Sequence, residues 1–127
     1  MMMAEDWTRH GLPRAPIAGA ILVTGIYDLR PIPRIPVNDD VHLAAEEVLG
    51  LSPQFLPMHC RAPTIVAVGA AETPMWIEQS HRFAAKLSAT GADVRLMDVP
   101  GLNHFSITHS LSDSNAPLTR AILDLVH

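Results

Sequence analysis

Two uninterrupted apolar runs, residues 17–24 and residues 64–69, constrain this chain more than any other feature. Neither holds a charge or a proline, and each is shorter than the ten to twelve residues a buried helix needs. Both are rich in Ile, Val and Ala, and read as strands buried on two faces, the condition of strands inside a parallel sheet. The segments around them are cut by prolines at 31, 33, 36, 53, 57 and 63, which forbid regular structure and place loops there.

Helical patterns fill the remainder. Asn38-Asp39-Asp40 predicts the cap of a helix carrying Val41, Ala44, Ala45 and Val48 on one face and closed by Gly50. Thr73 and Pro74 suit an N-cap and first helical position. Behind them Trp76, Ser80, Phe83, Ala84 and Leu87 recur at helical spacing up to a stop at Gly91. Residues 93–98 mix apolar and charged side chains, as an edge strand does. After Pro117, Leu118, Ile122, Leu125 and Val126 share one helical stripe. Strand, helix, strand, helix, strand, helix is the order of an α/β protein. The expected architecture is a three-layer sandwich of three parallel strands and flanking helices, with residues 1–127 in a single domain.

Composition excludes several classes. A net charge of −4 with scattered Lys and Arg gives no basic face for nucleic acid and no polybasic anchor. The one cysteine, Cys60, cannot form an internal disulfide. His59-Cys60 lacks a second ligand pair at zinc spacing, so neither metal nor cofactor is expected. The first residues lack a basic segment followed by an apolar one, and no apolar run is long enough to span a bilayer. The expected location is the cytoplasm, with no membrane partner.

In an open parallel sheet, functional groups collect beyond the carboxyl ends of the strands. Three ionisable residues fall there: Asp28, Glu72 and His104. His104, in the tight Gly101-Leu102-Asn103 setting, is the general-base candidate, because imidazole exchanges protons near neutral pH. A carboxylate on the neighbouring strand end can fix its tautomer. Glu72 is that candidate, and Asp28 is its rival, with a turn-forming role as the plainer account. His10, His42, His59, His81, His109 and His127 have no comparable setting. Ser52, followed by Pro53, does not sit between a strand and a helix as a nucleophilic serine must, and no Gly-x-Ser-x-Gly occurs.

At these positions the chain resembles the arylformamidase (kynurenine formamidase) branch of the α/β-hydrolases. The similar segments are Asp6-Trp7 with His10-Gly11-Leu12-Pro13, the stretch from Gly25 to Pro31, Leu51-Ser52-Pro53, the stretch from Val68 to Pro74 with Gln79-Ser80, and the stretch from Pro100 to Ser106. The resemblance implies a cofactor-free serine hydrolase acting on a small-molecule formyl-amide or ester such as N-formylkynurenine, with Glu72 as triad acid and His104 as triad base. Family members carry the oxyanion segment and nucleophile upstream. The expectation is therefore the C-terminal part of one α/β-hydrolase domain, inactive alone and prone to self-association or to pairing with the N-terminal half. Two alternatives stand beside it: a non-enzymatic α/β binding domain, and one subunit of a split hydrolase.

Overall fold

The computed structural model describes residues 2–126. Short 3₁₀ turns at Met2–Ala4 and Trp7–His10 lead to strand β1 (Ala20–Val23). A long connection follows, holding a 3₁₀ turn at Ile32–Arg34 and two one-turn helices, α1 (Asn38–Val41) and α2 (Val48–Leu51). Then come β2 (Thr64–Gly69), α3 (Pro74–Ala89), β3 (Val94–Val99), α4 (His104–His109) and α5 (Pro117–Val126). The three strands form one parallel sheet in the order β1-β2-β3, so β2 is central.

Every residue of β2 is buried, and its period-two alternation feeds two cores. Val66 points to one face, where Phe83, Ala84 and Leu87 of α3 close over it together with Tyr27 and Cys60. Ile65 and Ala67 point to the other, against Ile107 of α4 and Leu118 and Ala121 of α5. The three layers expected from the sequence are present, and α3 begins at Pro74 with Thr73 at the N-cap position, although the Thr73 hydroxyl makes no capping hydrogen bond. Its end is equally local: Gly91 takes φ +85°, a left-handed conformation that relieves the last helical carbonyls.

Two expectations need correction. The first apolar run yields only four strand residues, and they are half-exposed rather than buried on both faces, because β1 is an edge with β2 on one side. The helix expected over residues 38–50 is broken in two. His42 turns left-handed at φ +54°, and the Asn38 side chain, instead of capping, wraps forward to accept from the Leu43 N–H at 2.8 Å and donate to its carbonyl. Gly50 lies inside α2 instead of ending a helix. Among the described residues no helix is long and apolar enough to cross a membrane.

Candidate active site

The carboxyl ends of all three strands converge on one cluster. Beyond β2 the chain turns sharply, and the Glu72 carboxylate folds back so that Oε1 accepts from the Gly69 N–H at 3.0 Å. Its side chain is 1% exposed. Beyond β3, Gly101 at φ +72° makes the turn, and Asn103 caps α4 by accepting from the Phe105 and Ser106 N–H groups. Ser106 returns the favour, its Oγ accepting from the Asn103 N–H at 2.8 Å. His104 is thereby the first residue of a capped helix, not part of a free loop. Its ring is 45% exposed, and Nδ1 lies 3.2 Å from Glu72 Oε2.

The two strand ends are docked backbone to backbone. The Ala71 N–H donates to the Leu102 carbonyl at 2.9 Å, and a Cβ on Gly69 would collide with that carbonyl. Glycine is required there for close approach, which is what brings Glu72 and His104 within reach.

Thr24, one residue past β1, completes the cluster. Its N–H extends the sheet ladder, donating to the Ala67 carbonyl at 2.7 Å, and its backbone then turns left-handed at φ +48°. For a β-branched residue that conformation costs on the order of 1–3 kcal/mol. It aims Oγ1 to within 2.7 and 2.8 Å of the two Glu72 oxygens and 2.6 Å of His104 Nδ1. In the sequence Thr24 reads only as the last residue of an apolar run. The available signal was its place, one step past a strand's carboxyl end and just before Gly25.

A shallow cleft of about 240 Å³ opens beside the pair, walled by Trp76 and Phe105. Phe105 meets the His104 ring edge-on, with centroids 5.4 Å apart. Among the described residues the ring's hydrogen bonds run through Nδ1, which leaves Nε2 chemically able to exchange a proton.

The remaining candidates lie elsewhere. Asp28 is buried and spends its carboxylate locally: it accepts from the Arg30 N–H and holds the Arg30 guanidinium through both oxygens, at 2.9, 3.1 and 2.6 Å. That pairing holds its carboxyl below the usual Asp range, against the opposing effect of burial. Ser52 is fully buried, its Oγ donating to the Val48 carbonyl at 2.6 Å and accepting from the Leu29 N–H at 2.9 Å. That hydroxyl is structural. His10 and His81 form exposed pairs with Glu5 and Asp98, and His127 lies outside the described residues. Among the described residues no group of three His, Cys, Asp or Glu is placed to hold a metal ion.

Comparison with known proteins agrees with the resemblance read from the sequence. The chain is 34% identical over 131 residues to the kynurenine formamidase of Danio rerio, an alignment covering 99% of this chain and 44% of that protein. It is also 34% identical over 132 residues to the kynurenine formamidase of Salmo salar, covering 99% and 45%. The chain thus spans less than half the length of these curated relatives. A solved structure from Silicibacter sp., described as a candidate thioesterase, superposes with a TM-score of 0.68 at 25% identity, covering 87% of this chain and 40% of that one. No family model matches the chain.

Proposed function

We propose that this chain, a relative of the kynurenine formamidases, carries the acid and the base of a serine-hydrolase triad acting on a small formyl-amide or ester such as N-formylkynurenine. The observation that carries this reading is the Glu72–His104 pair, buried acid against half-exposed imidazole, across two adjacent strand ends. The 34% identity over nearly the whole chain supports the substrate class through the activity for which those relatives are named.

In this reading, Glu72 keeps the Nδ1 side of the ring oriented and stabilises the imidazolium that forms during the reaction. His104 Nε2 accepts the proton of an attacking serine hydroxyl and passes it to the leaving amine or alcohol. The serine and the oxyanion donors are supplied by a segment outside these 127 residues, since the sequence holds no nucleophile elbow. By itself the chain has a proton relay with nothing to activate.

A chimaera tests this. The Danio rerio relative, with its matched segment replaced by this chain, is assayed on N-formylkynurenine and p-nitrophenyl acetate. Turnover is expected to fall by about a thousandfold or more on His104→Ala and to be blocked by a serine-directed fluorophosphonate. The 127-residue chain alone is expected to be silent. Chimaera turnover indifferent to His104→Ala, or turnover by the chain alone that His104→Ala abolishes, overturns the proposal.

A further inference from the structure

We infer that Thr24 is a positioning residue of the site, its hydroxyl standing between the Glu72 carboxylate and the His104 imidazole and fixing which ring nitrogen carries the proton. The inference rests on the reading of Glu72 and His104 as acid and base.

The distances favour the hydroxyl over the direct contact. Glu72 Oε2 lies 3.2 Å from His104 Nδ1, long beside the 2.7–2.9 Å of a charge-assisted N–H···O bond. Thr24 Oγ1 is at 2.6 Å from the same nitrogen and at 2.7 and 2.8 Å from the two carboxylate oxygens. Proton counting then leaves one satisfactory arrangement. An ionised carboxylate only accepts, and a hydroxyl has one proton to give. If Thr24 gave that proton to Nδ1, the carboxylate would face Oγ1 and an unprotonated nitrogen with no hydrogen between them. If Thr24 donates to Glu72 and accepts from the Nδ1–H, every group is satisfied. In the neutral ring Nε2 is then the unprotonated nitrogen, the state a general base requires.

The backbone points the same way. A threonine at φ +48° is a poor choice for the turn itself, where glycine or asparagine would sit without strain. The conformation is held by the ladder bond to Ala67 on one side and by three side-chain contacts on the other. What those contacts need is a hydroxyl, which accounts for a strained residue being kept where an unstrained one is available.

The test reads the imidazole directly, in the 127-residue chain, by ¹⁵N NMR of labelled histidine at alkaline pH where the ring is neutral. The wild type and Thr24→Ser are expected to show His104 as the Nδ1–H tautomer with a slowly exchanging, downfield Nδ1 proton. Thr24→Ala and Glu72→Gln are each expected to lose that proton signal and to mix the tautomers. Thr24→Ala removes branching at the strained position, and Thr24→Gly, at ease at that φ, gives the same readout should the alanine variant unfold. Wild-type behaviour in Thr24→Ala with loss in Glu72→Gln overturns the inference, since the direct carboxylate contact then suffices. Wild-type behaviour in both variants removes the Glu72–His104 pair itself, and with it the reading on which the inference stands.

Discussion

Gly69 and Leu102 pack backbone against backbone, the Leu102 carbonyl carbon only 2.8 Å from where a Cβ on Gly69 would stand. Neither side of this contact is a flexible tip that could yield. Gly69→Ala is therefore expected to push the 102–104 turn off the end of β2, separating His104 from Glu72. A loss of about 1–3 kcal/mol, typical of overpacking, should appear in urea unfolding, together with a shifted His104 ring signal. Gly50→Ala is the contrast. Gly50 sits within α2 with nothing within 4 Å of its would-be Cβ, so alanine there should be neutral or stabilise by up to about 1 kcal/mol.

Lys86 offers a second test, away from the Glu72–His104 pair. From α3 its Nζ donates to the carbonyls of Pro53 at 2.9 Å, Gln54 at 2.8 Å and Leu56, holding together a proline-cut loop with few bonds of its own. Burial holds its ammonium below the usual Lys range. Lys86→Met keeps the stem and removes the donors. The expected result is a loss of about 1–3 kcal/mol with faster amide exchange confined to residues around 53–56; unchanged exchange there would show the lysine to be dispensable.

What the sequence made legible follows the physics of each element. β2, α3 and α5 were readable because their patterns are long, periodic and bounded by proline or glycine. β1 departs from expectation because an apolar run records only that its side chains avoid water, and Ile21, 38% exposed, lies at the sheet edge beyond the reach of the helices on its face. The helix over 38–50 failed because a side chain, Asn38, outcompeted the backbone for the Leu43 amide. At the site, ionisable residues past strand ends stand out in the sequence, so Glu72 and His104 are legible as candidates, and the structure brings the two side chains together. Thr24 is not legible there, because a strand-ending threonine is unremarkable in sequence and its contact with the pair depends on a left-handed φ and an 80-residue separation from His104.

Asp28 and Arg30 give stability a defined pH dependence. The Arg30 guanidinium, with the Arg30 N–H, lowers the folded-state carboxyl below its ordinary value of 3.8. A depressed carboxyl contributes stability that is present above the unfolded value and is lost as pH falls through the folded one. Asp28→Asn is thus expected to cost about 1 kcal/mol near neutral pH, modest because the Arg30 side chain is 56% exposed. The gap to wild type should close as the pH drops from 3.8 downward. A gap that persists undiminished at pH 2 would mean that packing, not the ion pair, sets the cost.

The two edges of the sheet are guarded differently, which leads to a prediction about association. β3 carries Arg95 and Asp98 among its exposed residues, charges that discourage another strand from pairing. β1 carries none, and its four residues are Ala20, Ile21, Leu22 and Val23. Ile21 lies in register with Ile65 on the face covered by α4 and α5, yet remains 38% exposed. Residues 1–127 alone are therefore expected to self-associate through β1, with apparent mass rising with concentration in light scattering. Ile21→Lys should suppress this with little effect on the urea midpoint, because the lysine stem can lie along the same apolar surface while its ammonium reaches water. The charge would then stand on the open edge, as Arg95 does on the opposite one. Monodisperse wild type at high concentration, or association unaffected by Ile21→Lys, would place any self-contact elsewhere than this strand.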